Sequence, residues 1–530
     1  MSLDVATAPA DRQRIAADPA LSAFVTANAG SGKTKTLIDR VARLLLAGVR
    51  PEAILCVTYT KAAAAEMQRR LFELLGDWSV LPDAELALRL ARLEDRTLDP
   101  AELSQARTLF ARALETPGGL KIQTIHAFCE KLLRRFPLEA GVSPGFQVMD
   151  DPAAAAVAKA ARDAVARHAL AGDGGVSEAY ARLSVSLDFQ SFEKMFTDFE
   201  ARRGLLSGFL RRTEGIEGAQ AWIWRTCGFN GPADVDQIAE AAMGQLDRAI
   251  WRLAVATLSE GTPSDKANAA RMAAVAAEPA DAFARALGVL FTAGGEGGAA
   301  KWVETSAILK TRPELRQALL AEQARLEAAR GRMRSAAVAW DTVYALTLAD
   351  AYLAAYRVEK GFAGALDFAD LIENTRQLLS SRPAAAWVLY KLDGGIDHVL
   401  VDEAQDTAPE QWEIVRALTG EFFSGEGVPG AGAGRRQMFV VGDEKQSIYS
   451  FQGAQPEQLI HEFAFHQSRA RGAGARFERV DLVSSFRSTP QVLSFVDAVF
   501  SPAGLRQAIQ PRIEPEPVVH IAERKADNGC

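Results

Sequence analysis

Residues 26–36, TANAGSGKTKT, decide the fold that this sequence predicts. The stretch supplies backbone N–H groups that converge on an anion, a lysine for the outer phosphates and a hydroxyl for Mg²⁺. Ala27 stands where the usual G-x-x-x-x-G-K-[ST] pattern begins with glycine, but Gly30 and Gly32 keep the positions of closest backbone approach. We therefore predict a nucleotide site with Thr34 as a metal ligand, formed by Ala27, Asn28, Ala29, Gly30, Ser31, Gly32, Lys33, Thr34 and Lys35.

The residues on both sides of this loop predict a strand before it and a helix after it. The apolar run AFVTA at 23–27 is typical of a buried strand, and 35–48 has apolar residues at helical spacing. A second strand and helix follow at 53–60 and 61–76. Such alternation predicts an α/β fold, a parallel sheet flanked by helices as in the RecA-like core of P-loop NTPases.

A pair of carboxylates follows a later apolar run, VLVDEAQD at 399–406. A phosphate-binding loop needs a carboxylate at the end of a neighbouring strand to hold Mg²⁺, and hydrolysis needs a group that activates water. We predict Asp402 as the metal ligand and Glu403 as the general base.

The length of the chain predicts several domains, since 530 residues exceed what one hydrophobic core usually holds. Lys33 and Asp402 are 369 positions apart, and much of that interval is rich in Ala, Leu and Arg at helical spacing. We expect a first RecA-like core domain at 1–150 and 351–470, an inserted helical domain at 151–350, and the truncated start of a second RecA-like domain at 471–530. The strand-like segment 477–488 would open that last domain.

Charge and composition restrict the possible partners and location. The net charge of −7 provides no global positive field, so any nucleic-acid site must be a local groove. Four dispersed cysteines without C-x-x-C spacing support neither a zinc site nor a disulfide framework. The first residues lack a signal-peptide pattern, and no stretch of 18 apolar residues occurs, so we expect a cytoplasmic protein.

Six segments in sequence carry a resemblance to a known family. They are ANAGSGKT, VTYTKAAAAEM, TIHAFC, VDEAQDT, VGDEKQSIYSFQGA and SSFRS, spread from residue 27 to 488. In this order they resemble the motifs of UvrD/Rep-like superfamily 1 DNA helicases. Within that family, the opening segment and the large helical insertion are most similar to AddA-type helicase–nuclease subunits, which act in AddAB double-strand-break repair complexes, with RecB-type subunits as near relatives.

The resemblance implies an ATP- and Mg²⁺-dependent catalytic set. Gln13 matches the glutamine that reads the adenine edge, and Gln446 matches the one that senses the γ-phosphate. Arg487 matches an arginine that stabilises charge developing at the γ-phosphate. With Lys33 and Glu403, Gln446 and Arg487 complete the implied catalytic residues.

The resemblance also implies partners and DNA contacts. The family's strand-contacting positions correspond to Thr58, Tyr59, His126, Tyr449 and Phe451. Many relatives carry Trp and Arg where this chain has Phe451 and Gln452, so stacking there should be weaker. The implied activity is 3′-to-5′ DNA unwinding in double-strand-break repair and recombination, with single-stranded DNA and duplex ends as substrates and an AddB-like partner protein.

Nothing after residue 500 matches the family's later motifs or the nuclease domain of AddA-type proteins. We therefore expect an amino-terminal portion that binds ATP weakly and unwinds little by itself. Two alternatives share the same motor motifs: a DNA-stimulated ATPase that translocates without separating strands, and a non-catalytic module that serves a partner protein.

Overall fold

A computed structural model describes residues 9–172, 174–277, 281–298, 308, 310, 312–393, 395–423, 436–447, 453–510 and 516–524. The chain divides into two compact units, one formed by residues 1–150 and 364–530 and the other by residues 151–363. The sheet and the phosphate-binding loop belong to the first of these units.

The first part of the first unit alternates strands with helices. Thr60 and Thr124 cap the helices that follow the second and third strands, because each threonine hydroxyl accepts a hydrogen bond from an N–H of the first helical turn. The elements are α1 (Pro9–Ala16), β1 (Ser22–Ala27), α2 (Lys33–Leu46), β2 (Ile54–Thr58), α3 (Lys61–Val80), α4 (Asp83–Glu94), α5 (Pro100–Leu114), β3 (Lys121–Thr124), α6 (Ile125–Arg135), α7 (Pro137–Ala140) and β4 (Gln147–Val148).

The regular elements in the described part of the second unit are all helices. Its helices are α8 (Asp151–Leu170), α9 (Gly174–Ser186), α10 (Phe189–Ala201), α11 (Arg203–Arg212), α12 (Ile216–Thr226), α13 (Val235–Gly244), α14 (Arg248–Ser259), α15 (Pro263–Ala277), α16 (Ala282–Leu290) and α17 (Pro313–Ala363). The boundary expected at residue 350 lies inside α17. That helix runs on to Gly364, whose φ of +57° ends it in the left-handed region that glycine tolerates.

The last part of the first unit returns to the sheet. Asp367 caps the returning helix through a reciprocal capping box with Asp370. The elements are β5 (Ala365–Leu366), α18 (Phe368–Ser380), α19 (Ala385–Asp393), β6 (His398–Val401), α20 (Pro409–Leu418), β7 (Gln437–Gly442), α21 (Gln458–Gly472), β8 (Phe477–Leu482), β9 (Ser484–Ser485), α22 (Pro490–Val499), α23 (Ala503–Ile509) and β10 (Ile521–Ala522).

The main sheet has the order β3-β2-β6-β7-β1-β8, and every neighbouring pair is parallel. Thr26 pairs with Gly442, and Val57 pairs with Val401, so the carboxyl ends of the central strands meet at one edge. Ligand sites in open parallel sheets lie at that edge. The fold confirms the α/β class predicted from sequence.

Both faces of the sheet are covered by hydrophobic clusters. Successive side chains of a strand point to opposite faces, so neighbouring residues belong to different clusters. In β1, Ala23 and Val25 face one hydrophobic cluster while Phe24 faces the other. β7 repeats the pattern, with Val441 in the first cluster and Val440 in the second. This two-sided packing fixes the register of the strands whose ends carry the site.

The position of β8 differs from the expectation that residues 477–488 open a second domain. β8 pairs with β1 along its whole length, from Ser22 with Phe477 to Ala27 with Leu482. Val480 and Leu482 are buried in the same cluster as Val25. Without β8, β1 would be an edge strand paired only with β7, so β8 covers the open edge of the strand that leads into the phosphate-binding loop.

Candidate active site

The phosphate-binding loop follows β1 and leads into α2. Gly30 and Gly32 have φ values of +74° and +86°, a conformation that strains residues with a Cβ atom. Ala27 is the last residue of β1 and is fully buried, so alanine serves there in extended backbone. α2 begins at Lys33 without a side-chain cap, so no side chain competes with a ligand for the N–H groups of its first turn.

The segment after β8 holds this loop through its carbonyl oxygens. The Ser485 hydroxyl donates to the Ala29 carbonyl at 3.0 Å, and the Phe486 N–H donates to the Gly30 carbonyl at 2.9 Å. The exposed Arg487 follows directly. The structure therefore brings Arg487 beside the loop, on the same unit as the loop.

Gln13 lies against the other side of the loop. Its Nε2 donates to the Ser31 carbonyl at 2.8 Å, and a Cβ atom on Gly32 would stand 2.7 Å from that nitrogen. Arg12 on the same helix donates to the Asp481 carbonyl in β8 at 3.0 Å. α1 is therefore tied to the loop and to the sheet by polar contacts.

The predicted carboxylate pair follows β6 and faces the loop. Lys33 Nζ lies 3.2 Å from Glu403 Oε2, although 370 positions separate them. Glu403 has a φ of +48°, which is uncommon for a residue other than glycine. Burial, reinforced by the neighbouring Glu403 charge, raises the pKa of Asp402 to about 6. A cation beside Asp402 would relieve both effects.

The residues present suit a magnesium nucleotide. The Ser31 hydroxyl is 1% exposed and has no hydrogen-bond partner among the described residues, as expected where a phosphate oxygen would bind. No group of three or more His, Cys, Asp or Glu in the described part of the chain is arranged to hold a metal ion. Mg²⁺ is usually bound by one or two carboxylates together with phosphate oxygens of the substrate. The Asp402 carboxylate and the Thr34 hydroxyl are suitable protein ligands for such a site.

The end of β7 is linked to the site through Gln405, a residue for which the sequence motifs predicted no role. Gln405 Nε2 donates to Glu403 Oε2 at 2.7 Å, and the Asp443 N–H donates to Gln405 Oε1 at 2.9 Å. Gln446, predicted to sense the γ-phosphate, donates through Nε2 to Asp443 Oδ2 at 2.6 Å. The sequence signal that could have identified Gln405 is its position in DEAQD, two residues after the predicted general base.

The predicted DNA-contacting residues are only partly brought together. Tyr59 is half-buried at the end of β2, whereas Thr58 is 3% exposed and its hydroxyl faces Asp402 Oδ2 at 3.5 Å. Thr58 therefore belongs to the surroundings of the carboxylates and does not lie on an open surface. Tyr449 and Phe451 fall outside the described residues.

His126 has an aromatic neighbour that the motif pattern does not include. Its ring lies edge-on to Phe368 with centroids 5.2 Å apart, and Phe368 is 50% exposed. Burial lowers the pKa of His126, which favours the neutral ring at pH 7. Phe128 on the same helix is buried in the core.

A glycine-rich loop at the end of a parallel strand, opposed by a carboxylate pair at the end of another strand of the same sheet, defines a P-loop fold with a RecA-like sheet. The chain belongs to the UvrD/REP helicase family, because the pattern of the UvrD/REP helicase N-terminal domain matches residues 8–464. This confirms the family predicted from the six motifs.

Relatives within the family confirm the resemblance to AddA-type proteins. The chain is 28% identical over 526 residues to the AddA-type ATP-dependent helicase/nuclease subunit of Desulforudis audaxviator, covering 90% of this chain and 38% of that protein. It is 27% identical over 518 residues to the protein of the same name from Enterococcus faecalis, covering 90% of this chain and 37% of the relative. The chain thus spans less than two-fifths of the length of these relatives. No helix in the described ranges combines the length and apolarity needed to cross a bilayer.

Proposed function

We propose that this chain is the nucleotide-hydrolysing part of an AddA-type, ATP-dependent 3′-to-5′ DNA helicase. The observation that carries the proposal is the 3.2 Å contact between Lys33 and Glu403. It joins the phosphate-binding loop to the predicted general base across two strand ends. Such a contact supports the proposal that Lys33 binds the phosphates and that Glu403 activates water at the same ligand.

Nucleotide binding is assigned to the loop and to α1. The N–H groups at the start of α2 and the Lys33 ammonium bind the phosphates. Gln13 reads the adenine edge from its position beside Gly32. Thr34 and Asp402 hold Mg²⁺, which when bound neutralises charge on the β- and γ-phosphates.

Hydrolysis is assigned to three further side chains. Glu403 orients water and accepts its proton. Arg487, next to the segment that holds the Gly30 carbonyl, stabilises the charge on the transferred phosphoryl group. Gln446 senses the γ-phosphate from the end of β7, where it is held by Asp443.

DNA binding is assigned to half-exposed aromatic side chains of the first unit. Tyr59 follows β2, and His126 with Phe368 forms an edge-on ring pair. Base stacking on such rings tolerates any sequence, which suits a motor that moves along one strand. Tyr449 and Phe451 extend this set in the segment after Gln446.

The biological setting follows from the relatives. Both are named as one subunit of an ATP-dependent helicase/nuclease, and that name implies a second subunit. We assign this chain a role in cytoplasmic double-strand-break repair and recombination, on single-stranded DNA and duplex ends, with an AddB-like partner.

The test is ATP turnover by the purified chain with and without single-stranded DNA. Lys33→Ala is expected to lower turnover by about 100-fold or more, because the phosphates lose their fixed positive charge. Lys194→Ala is the matched control: Lys194 lies on α10 of the second unit, is exposed and pairs with Asp198 one turn along the helix. DNA-independent turnover that survives Lys33→Ala would refute the proposal.

A second assay separates unwinding from translocation. Tailed duplexes with a 3′ or a 5′ single strand report strand displacement and its polarity, and streptavidin release from a biotinylated strand reports movement alone. Displacement restricted to 3′-tailed duplexes supports a helicase, whereas streptavidin release without displacement supports the translocase alternative.

A further inference from the structure

Gln405 occupies a buried position between two elements of the hydrolysis site. It lies two residues after Glu403 and is 2% exposed. A buried amide without partners costs about 1–3 kcal/mol, so its hydrogen bonds matter to the fold. No role has yet been assigned to it in the proposed reaction.

The orientation of the Gln405 amide is determined by its neighbours. The Asp443 backbone N–H can only donate, so the atom that it meets at 2.9 Å must be the acceptor Oε1. Nε2 then faces Glu403 Oε2 at 2.7 Å and Asp406 Oδ2 at 3.2 Å, both carboxylate acceptors. All three contacts agree with one orientation and exclude the flipped one.

The end of β7 comes close enough to Gln405 to require a glycine. A Cβ atom on Gly442 would stand 2.8 Å from Gln405 Oε1 and 3.2 Å from the Gln405 backbone nitrogen. The Asp443 N–H therefore reaches Gln405 only because the preceding residue has no side chain. Any shift of this strand end would move the amide directly.

The same strand end carries Gln446. Asp443 accepts from Gln446 Nε2 at 2.6 Å and from the Lys445 N–H at 3.2 Å. Asp443 is 1% exposed, so these bonds are shielded from water. A continuous hydrogen-bonded path thus runs from Glu403 through Gln405 to Asp443 and Gln446.

Glu403 needs support at its position. Its backbone lies in the left-handed region at φ +48°, and its Oε2 accepts from both Lys33 and Gln405. Lys33 is also the residue assigned to the phosphates. When Lys33 turns to a phosphate, the Gln405 amide remains to fix the carboxylate.

We propose that Gln405 is a positioning residue that fixes the Glu403 carboxylate and links it to the end of β7. This inference rests on the proposed function, since it names what orients the general base of that reaction. Through the Asp443 N–H, movement of the segment bearing Gln446 changes the orientation of Glu403.

The activity test compares Gln405→Leu and Gln405→Glu with the wild-type chain. Both variants should lower kcat about 10- to 100-fold while KM for ATP and the affinity for an ATP analogue change less than about twofold. Gln405→Glu keeps the volume and an acceptor for the Asp443 N–H but cannot donate to Glu403. Gln405→Glu therefore tests the same hydrogen bond if Gln405→Leu fails to fold.

Gln437→Leu is the matched control. Gln437 is another buried glutamine, 5% exposed, whose Oε1 accepts from the Ser22 hydroxyl at 2.7 Å at the opposite end of β7. Its loss removes a comparable hydrogen bond without touching Glu403. Normal kcat in Gln405→Leu, or an equal fall in Gln437→Leu, overturns the inference.

An exchange experiment tests the link without turnover. Hydrogen–deuterium exchange is followed at the Asp443 amide in Glu403→Ala, Gln405→Leu and Gln437→Leu. Loss of a hydrogen bond worth about 1 kcal/mol speeds exchange about fivefold, which is expected in Gln405→Leu. A smaller acceleration is expected in Glu403→Ala, where Asp406 Oδ2 still accepts from the Gln405 amide, and none in Gln437→Leu. Unchanged exchange in Glu403→Ala overturns the link.

The two proposals fail separately in these experiments. Absence of DNA-stimulated turnover in the wild-type chain refutes the proposed function, while the exchange result still decides whether Glu403 and Asp443 are coupled through Gln405. Turnover in the wild type with unaltered kcat in both Gln405 variants refutes the positioning role alone.

Discussion

Gly30 and Arg487 meet so closely that a Cβ atom on Gly30 would stand 2.5 Å from the Cβ of Arg487. The two residues are joined through backbone as well, since the N–H of Phe486 donates to the Gly30 carbonyl at 2.9 Å. The glycine of the phosphate-binding loop is therefore required both by its own φ of +74° and by the neighbouring segment.

Gly30→Ala is expected to lower ATP-analogue affinity at least about tenfold, since the left-handed backbone and the overlap with Arg487 displace the loop. Gly48→Ala is the control, because Gly48 has a φ of +85° but nothing within 4 Å of the added Cβ. Fluorescence titration of a labelled nucleotide measures both variants. Equal affinities in the two would show that the contact with Arg487 has no influence on binding.

Local patterns in the sequence were sufficient for the loop and for the order of strands and helices. The apolar run before Gly30, and the acidic turn after β6, each depend on residues close together in the chain. The register that puts Lys33 beside Glu403 follows once both strands enter one parallel sheet. The proximity of the loop and the carboxylate pair that form the candidate site could therefore be predicted from sequence.

Other features depend on contacts between distant segments and were missed. β8 follows a glycine-rich turn that suggests a new domain, but its pairing with β1 depends on side-chain burial on both faces of the sheet. Thr58 looks like a surface residue at a strand end until β6 places Asp402 opposite it. The role of Gln405 emerges only when the end of β7 lies against it.

Gln13→Ala is expected to weaken ATP binding about tenfold and to reduce discrimination between ATP and GTP. The change removes both the adenine contact and the bond to the Ser31 carbonyl. Gln105→Ala removes a similar bond to the Leu46 carbonyl, 3.1 Å long, away from the site. Equal losses for ATP and GTP would mean that Gln13 only braces the loop.

Glu403→Gln is expected to slow ATP hydrolysis about 100- to 1,000-fold while nucleotide affinity is kept, because the amide cannot accept the proton of water. Single-turnover phosphate release and analogue binding separate the two effects. Glu410→Gln, an exposed carboxylate at the start of α20, is the control. A parallel loss of binding and hydrolysis would assign Glu403 to binding instead.

Two buried histidines are expected to lower the free energy of unfolding in acid. Burial, helped by Arg40, lowers the pKa of His398 to about 3, and burial, helped by Arg416 and Arg469, lowers that of His466 to about 3. Above pH 6.5 each ring is neutral in both the folded and the unfolded chain and contributes nothing to the pH dependence. As the pH falls from 6.5 toward 3, only the unfolded chain binds the proton, so unfolding is favoured.

Each histidine should therefore lower the free energy of unfolding by about 1 kcal/mol between pH 7.5 and pH 5.5. Urea unfolding at both values measures the change. His466→Gln should remove the part of this fall in unfolding free energy that comes from His466. His461→Gln changes an exposed histidine on the same helix and should leave the fall unchanged. An unchanged pH dependence in His466→Gln would show that the ring is protonated in the folded chain.

The His126–Phe368 pair provides the sharpest test of the DNA surface. Phe368→Ala is expected to weaken single-stranded DNA binding about 5- to 150-fold, since a stacked base contributes about 1–3 kcal/mol. Tyr390→Ala is the control, because it removes an aromatic side chain that is 69% exposed on α19 of the same unit. Fluorescence anisotropy with labelled oligonucleotides measures both variants at one salt concentration, because binding to phosphates depends steeply on salt. Equal affinities in the two variants would mean that the DNA strand binds elsewhere and that Phe368 has only a structural role. A selective loss of affinity in Phe368→Ala would add Phe368 to the DNA-contacting residues, although the motif pattern alone does not identify it.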